Sequence, residues 1–365
     1  MSYNEKINNF EISLKSLVKP IMLFIIVIVC TLWTIEQIME DPGLFLARIV
    51  RTIVYGLPYS MLLFLMVSGF YLIFGLGDVI NFAHGAFFML GGFIGYEIYM
   101  YLYLNVNIGF FSSNMLLWSF ICFISGIIGT VVILGIIGGG IEVLTIRRLY
   151  GNPIGQILLT VGYSVIIVKI ADLLWSSLVS KTIPNVDAPV FFISTVTINP
   201  FSFVPFDAFQ RLSFKPITFF IFIIGIILAI LMFLFFLKTK FGLLIQASLE
   251  DREMVEILGI DIKKLLTLVF IAGACLAGFA GFLIVPWVGA KTEFATQFLL
   301  YAFVIVVVGG AHYGKFEGSF FGSLIIGMAY YFSITFFTLA ITYVITFLIM
   351  VVVLIFKPNG LTGQS

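Results

Sequence analysis

Few residues in this chain have the types and spacings that catalysis or metal binding requires. The sequence of 365 residues has two histidines, His84 and His312, and three cysteines that lie far apart within apolar runs. Zinc sites need several such ligands at short spacings, so we predict no metal site. The apolar runs also lack a nucleophile accompanied by a base and an orienting group, and we predict no catalytic residues.

ATP hydrolysis is not expected from this chain alone. A phosphate-binding loop needs a Gly-Lys pair, which the nearest stretch, Gly289-Ala290-Lys291-Thr292, does not contain. We therefore expect no cofactor in this chain, and any ATP would have to be bound by partner subunits. A net charge of +1 and a pI near 7.6 give no indication of nucleic-acid binding.

The composition predicts that membrane-spanning helices position the polar residues. Hydrophobic residues make up 61% of the chain and charged residues 10%, and the mean hydropathy is +1.19. A bundle of spanning helices needs that much apolar surface, whereas a soluble core does not. We predict an all-α, polytopic transmembrane helical bundle of about ten spans, within a range of 8–10. The predicted spans are 21–35, 53–74, 82–104, 115–141, 154–175, 217–237, 265–288, 297–312, 318–335 and 337–356.

Lysine and arginine residues predict the orientation. With the N-terminus inside, twelve of them fall in cytoplasmic segments and six in external loops. Both termini of this multi-pass protein of the cell membrane are then cytoplasmic. We divide the chain into residues 1–52, a tail with an extra transmembrane helix, and residues 53–365, one membrane domain with a long external loop at about 176–216.

A charged segment, residues 238–264, lies between two apolar spans and holds ten charged residues. Gly259 is predicted to end a short helix, and Asp261 to cap the next one. Three apolar residues are predicted to share a face of the short helix: Met254, Ile257 and Leu258. Two interpretations stay open on the residues alone, a solvated loop helix or a surface that docks onto a cytoplasmic protein.

A glycine-containing break, residues 75–85, separates two predicted spans. Irregular backbone at membrane depth is tolerated where protein or water buries it, so Asn81 and His84 are candidates to line a pathway. The alternative is a cytoplasmic turn in which Asn81 caps a helix and His84 bonds to a carbonyl. The start of the following helix, His84–Phe88, also matches Glu317–Phe321 in the pattern [His/Glu]-Gly-[Ala/Ser]-Phe-Phe, which suggests parallel internal repeats.

Two ionisable residues, Lys169 and Asp172, lie three positions apart within one predicted span. We expect them to pair on one helix face, either as a structural ion pair, which we favour, or as a contact in a pathway. Glu97 and Glu142 fall near span ends, where access to solvent is expected to leave them without a special role.

Several segments resemble the permease subunits of branched-chain amino acid ABC transporters, the LivH/LivM family. Residues 246–283 are similar to the family's coupling loop and following helix, although Val255-Glu256-Ile257 stands where the general importer motif has Glu-Ala-Ala. Residues 75–85, which include the string INFAHG, resemble a specific family signature. Residues 142–160 and 358–363 resemble two further segments, and together the resemblance covers most of the chain from about residue 53.

The resemblance implies a pseudo-symmetric importer permease fold and roles for two sets of residues. The expected ATPase-coupling residues are Glu250, Asp251, Arg252, Glu253, Met254, Glu256, Leu258 and Gly259. The expected pathway candidates are Asn81, Phe82, His84 and Gly85.

The resemblance also implies a function. The chain is expected to be a permease subunit of an ATP-driven importer and to form the translocation pathway for branched-chain or related amino acids. Expected partners are cytoplasmic ABC ATPase subunits, a second homologous permease subunit in a heterodimer, an external substrate-binding protein that delivers the amino acid, and the lipid bilayer. The alternatives are a urea or short-amide ABC permease and, in a different class, an ion-coupled secondary transporter.

Overall fold

The computed structural model describes residues 42–77, 81–106, 115–175, 196–197, 213–214, 216–250, 252–310 and 317–362. The predicted span at 21–35, and therefore the predicted extra helix of residues 1–52, lies outside these residues. Most of the loop at 176–216 does so too. Within it, two short strands, β1 (Val196–Thr197) and β2 (Ser213–Phe214), pair antiparallel.

The described residues are otherwise mainly helical. The helices are α1 (Pro42–Gly77), α2 (His84–Asn105), α3 (Met115–Leu144), a 3-10 helix (Ile146–Leu149), α4 (Pro153–Trp175), α5 (Pro216–Lys238), α6 (Lys240–Glu250), α7 (Arg252–Ile257), α8 (Ile262–Leu283), α9 (Val285–Val288), α10 (Phe294–Gly309), α11 (Glu317–Phe336) and α12 (Leu339–Phe356).

Eight helical segments in the described part of the chain are long and apolar enough to cross a membrane. The shorter apolar helix α10 has 16 residues. The predicted polytopic helical bundle is therefore confirmed, and the eight candidate spans among the described residues fall within the predicted range of 8–10. The continuous apolar run near the C-terminus divides into α11 and α12 around Phe337 and Thr338, close to the predicted division.

The core of the bundle forms where α8 packs against α1, α2 and α3. The spanning part of α1 is 89% buried and that of α8 67%, whereas only 11% of the spanning windows of α4 and α12 is buried. Close approach of backbones explains the glycines here, because a side chain at Gly281 would collide with the carbonyl oxygen of Phe88. The peripheral helices α4 and α12 instead present apolar side chains to the surroundings of the chain.

Helix α10 packs against both segments that share the internal sequence pattern. The first turn of α2 packs on it at Gly85, close to Ala295, and the first turn of α11 packs on it at Gly318, close to Gly309. Both segments do open a helix, as the pattern suggests. The parallel arrangement of the repeats stays a prediction.

The C-terminal segment covers the end of α10. The amide of Leu361 donates to the carbonyl of Val308 at 2.9 Å, and the amide of Thr362 donates to that of Gly309 at 3.3 Å. The last carbonyls of a helix have no partner within the helix, so these hydrogen bonds satisfy groups that burial would otherwise penalise.

Candidate functional site

The short helix α7 ends in a regular C-terminal cap. Gly259 has φ of +84°, and its amide donates to the carbonyl of Glu256 at 2.9 Å. The amide of Ile260 donates to the carbonyl of Val255 at 3.4 Å. This pair of hydrogen bonds is the Schellman arrangement, which needs a residue with positive φ and hence favours glycine. The predicted C-cap at Gly259 is confirmed.

Helix α7 exposes apolar side chains beside charged ones. Val255 is buried, with 3% of its surface exposed, and anchors the helix to the bundle. Ile257 is 79% exposed and Leu258 72%, and Met254 and Glu256 are exposed as well. Apolar side chains in an exposed cluster are typical of an interaction surface. The side chains of Glu250, Asp251, Arg252 and Glu253 lie outside the described part of the chain, so their predicted role stays a prediction.

Asp261 joins α7 to α8 through a short turn. Its Oδ1 accepts a hydrogen bond from the amide of Lys264 at 3.2 Å, and its Oδ2 lies 3.3 Å from Nζ of Lys264. The bond from the backbone amide, followed by the contact with the Lys264 side chain, lowers the pKa of Asp261 below its usual value. The predicted helix cap is confirmed, and it fixes the position of α7 relative to the start of α8.

Helix α6 is held against the preceding span. Thr239, between α5 and α6, accepts a hydrogen bond on Oγ1 from the amide of Gly242 at 3.0 Å. Further along α6, Nε2 of Gln246 donates to the carbonyl of Phe236 at 3.0 Å. The charged segment therefore folds back on α5 before it reaches α7.

Glu142 lies at the centre of a polar cluster near the start of α8, and the expectation that it would be solvated is wrong. Its side chain has no exposed surface. Its Oε1 accepts from Nε of Arg147 at 3.2 Å and from the hydroxyl of Tyr150 at 2.7 Å, and its Oε2 accepts from Oγ1 of Thr267 at 2.7 Å. Arg147 also donates to Thr267. A buried carboxylate requires such partners, and here they join α3 and the 3-10 helix to α8.

The break before α2 lies inside the bundle. Nε2 of His84 lies 2.9 Å from the carbonyl oxygen of Met66, and its ring also faces Gly69, which packs on Gly273. Gly273 lies about three turns into α8, counted from its start. The start of α2 is therefore deep among the spanning helices, as expected for irregular backbone at membrane depth, and it is not a turn at the end of the bundle.

The polar groups of this break are partly satisfied. Oδ1 of Asn81 accepts from the amide of Ala83 at 3.0 Å, and Asn81 and His84 both have no exposed surface. These contacts match the alternative interpretation, in which Asn81 caps a helix and His84 bonds to a carbonyl. However, Nδ2 of Asn81 and Nδ1 of His84 have no hydrogen-bond partner among the described residues. Phe82 is half-buried, and Gly85 packs on the carbonyl of Ala295.

The predicted pair on α4 is present. Nζ of Lys169 lies 3.1 Å from Oδ2 of Asp172. The Lys169 side chain is exposed on this chain, and Asp172 is half-buried. The pair therefore lies on a partly exposed face of α4.

Four separate groups of residues result in the described part of the chain, and three of them, α7, the break before α2 and the pair on α4, were predicted from the sequence. Helix α7 and the break before α2 were predicted from local glycine and cap patterns. The Glu142 cluster was missed, because Thr267 is 125 residues away from Glu142 in sequence. The only signal was the presence of Arg147 and Tyr150 shortly after Glu142.

Comparison with known proteins identifies the family. The family model described as "Branched-chain amino acid transport system / permease component" matches residues 52–354. BraD of Pseudomonas aeruginosa, a high-affinity branched-chain amino acid transport system permease protein, is 25% identical over 326 residues, which cover 88% of this chain and 96% of BraD. LivH of Escherichia coli K12 is 24% identical over 323 residues, with the same coverage of both chains.

A probable branched-chain amino acid transport permease protein, LivH of Methanocaldococcus jannaschii, is 27% identical over 318 residues, which cover 84% of this chain and 90% of that protein. No solved structure is significantly similar to the chain. The matched region includes α2, α7 and the Glu142 cluster. The chain therefore belongs to the permease component family of branched-chain amino acid transport systems and is a multi-pass membrane protein.

Proposed function

We propose that this chain is the permease subunit of an ATP-driven importer that moves branched-chain or related amino acids across the cell membrane. The family membership supports the transport role, and the names of the relatives support the class of substrate. An external binding protein would deliver the amino acid, and a second homologous permease subunit would complete the pathway.

Helix α7 is proposed as the coupling helix. The observation that carries this assignment is its cluster of exposed apolar side chains, Met254, Ile257 and Leu258, on a helix anchored by Val255 and rigidly capped at Gly259. An ATPase subunit with an apolar groove would bury these side chains and exclude water from them. With α7 on the cytoplasmic side, both termini are cytoplasmic, in line with the lysine and arginine distribution.

The motion of α7 has a direct route into the bundle. Asp261 links α7 to α8, and Thr267 on α8 bonds to Glu142 on α3. A displacement of α7 by the ATPase subunits would therefore move the start of α8 and the end of α3 together. Opening and closing of the bundle in alternation would follow, without any ATP site in this chain.

The break before α2 is proposed to line the pathway. A buried amide donor on Asn81 and a buried ring nitrogen on His84 without partners among the described residues support this role, because such atoms are costly inside a membrane protein unless water or substrate reaches them. His84, with Nε2 directed at the Met66 carbonyl, would offer Nδ1 as an acceptor.

Uptake by reconstituted vesicles tests the proposed function. The full complex, with its ATPase subunits and binding protein, is inserted into proteoliposomes, and uptake of labelled leucine is followed with ATP inside. We expect uptake that needs ATP hydrolysis and continues when an uncoupler removes the ion gradients. Uptake that collapses with the uncoupler and persists without ATP would contradict the proposal and indicate an ion-coupled transporter.

A further inference from the structure

A cavity lies at the end of the bundle opposite α7. Its volume is about 170 Å³, which exceeds the roughly 30 Å³ of one water several times over. Residues of α1, α9, the start of α10, the end of α11 and the start of α12 surround it. Its lining includes Tyr59, Trp287, Lys291, Gln297, Tyr330 and Tyr343. Asn81 and His84 are not among the lining residues, so the cavity is separate from the break before α2.

Packed aromatic rings form the walls of the cavity. The rings of Tyr59 and Tyr330 are stacked at 4.5 Å, and the ring of Trp287 meets that of Tyr59 edge-on at 6.2 Å. Phe298 contacts Tyr59 from another side, at 6.3 Å between ring centres. Contacts of this kind between aromatic rings stabilise the packing of the cavity walls. Aliphatic side chains, including Val288 and Leu339, complete the lining.

One charged residue lies at the mouth of the cavity. Lys291 is exposed in the connection between α9 and α10, and it has no ion pair among the described residues. No carboxylate is present among the residues that line the cavity. Among the described residues, the lining therefore carries one positive and no negative side chain, which favours a ligand with a negative group, such as a carboxylate.

The other polar groups suit a small zwitterion. Gln297 contributes an amide, and its Nε2 lies 3.4 Å from the hydroxyl of Tyr301. The faces of tyrosine and tryptophan rings attract an ammonium group. Apolar walls with a few convergent polar groups are the usual composition of a small-molecule site.

We propose that this cavity binds a free amino acid with an aliphatic side chain. The carboxylate would lie at Lys291, the ammonium group at the aromatic faces and Gln297, and the aliphatic side chain between the rings. The cavity would give the proposed importer a binding site for its substrate. This inference rests on the proposed function in one respect, because it takes the cavity to lie on the side where an external binding protein would release its cargo. It would then be the first site that the substrate meets in this subunit.

Tryptophan fluorescence tests the binding step directly. The purified full-length chain in lipid nanodiscs is titrated with L-leucine, and the signal is assigned to the cavity by its loss in Trp287→Phe. We expect L-leucine to change the fluorescence, and L-leucinamide, L-glutamate and isovalerate to have a much weaker effect. A response to leucinamide or isovalerate equal to that of leucine would overturn the assignment of a zwitterionic amino acid.

Uptake by the reconstituted complex tests the role of the cavity in transport. Lys291→Met and Gln297→Leu are each expected to raise the KM for leucine by about tenfold, which equals about 1.4 kcal/mol of binding free energy. Lys291→Arg keeps the positive charge and should restore most of the affinity. Lys357→Met removes an exposed lysine at the end of α12, whereas only the start of α12 lines the cavity, and it serves as the matched control, with an unchanged KM.

The two proposals fail in different ways. ATP-driven uptake with an unchanged KM in Lys291→Met and Gln297→Leu, together with no Trp287 signal, would overturn the cavity assignment and leave the proposed function intact. A leucine-dependent Trp287 signal without ATP-driven uptake would support the cavity and contradict the proposed function.

Discussion

Gly259 shows how one residue can decide where a short exposed helix ends. Its φ of +84° lets α7 stop after six residues and directs the chain into the Asp261 cap of α8. An added Cβ would meet no atom within 4 Å, so a substitution here tests backbone conformation without steric collision. The left-handed conformation costs a residue with a Cβ about 1 kcal/mol relative to glycine.

We therefore expect Gly259→Ala to reduce ATP-driven uptake by up to about fivefold, because about 1 kcal/mol lowers the ratio of correctly capped to uncapped α7 by about that factor. Gly151→Ala is the matched control. Gly151 has φ of +85° and also has nothing within 4 Å of an added Cβ, but it lies in the turn before α4. Both variants should lose similar stability in detergent, and a similar loss of uptake in both would contradict a special role for α7.

Local chemistry explains why these residues were predictable from the sequence. A glycine cap and an aspartate cap act over three or four neighbouring residues, so Gly259 and Asp261 carry their own signal. Irregular backbone at membrane depth was expected for residues 75–85, although α1 continues through Gly77. A bond from His84 to a carbonyl was expected under the alternative interpretation, but the sequence could not identify this carbonyl as that of Met66, because α2 must pack on α1 to bring the two groups together.

At the scale of elements, the Glu142 cluster joins α3 to α8, two helices that are far apart in the sequence. The carboxylate lies at the end of α3, and its partners come from the 3-10 helix, the turn after it and α8. Proximity to the end of a span suggested access to water, but the fold covers this end of α3 with Arg147, Tyr150 and Thr267. Tertiary packing therefore decides the environment of Glu142, and the local sequence shows only two of its partners, Arg147 and Tyr150.

We expect Glu142→Gln to lower the stability of the protein by about 1–3 kcal/mol, since hydrogen bonds to a buried charge are lost and Arg147 loses its counter-charge. Thermal unfolding in detergent measures this change. Glu97→Gln is the matched control, because Glu97 is exposed and accepts from Nε1 of Trp175 at 2.9 Å, which a glutamine oxygen can also do. Equal unfolding temperatures for the two variants would contradict the structural role of the cluster.

At the scale of the whole molecule, the described bundle has two distinct ends. One end presents α7, which is helical, capped and exposed, while the other holds the aromatic cavity with Lys291 at its mouth. Composition alone predicted the polytopic bundle, since a chain this apolar belongs in a membrane, where helices satisfy the backbone hydrogen bonds. The placement of α8 at its centre, with α4 and α12 outside, depends on which glycine-rich faces meet, and the sequence does not specify that pairing.

The central claim is that α7 transmits the action of ATPase subunits to the bundle. The most direct measurement compares Ile257→Ser/Leu258→Ser with Ile154→Ser, a control at a residue that is 80% exposed outside α7. Co-purification of the ATPase subunits and ATP-driven leucine uptake are recorded for each protein in the same preparation. We predict that the α7 variant folds normally but loses most of the bound ATPase subunits and that its uptake falls by a factor of about ten or more. The reason is that each buried apolar side chain contributes about 1.5–3 kcal/mol to docking. Normal co-purification and normal uptake in the α7 variant would contradict the claim.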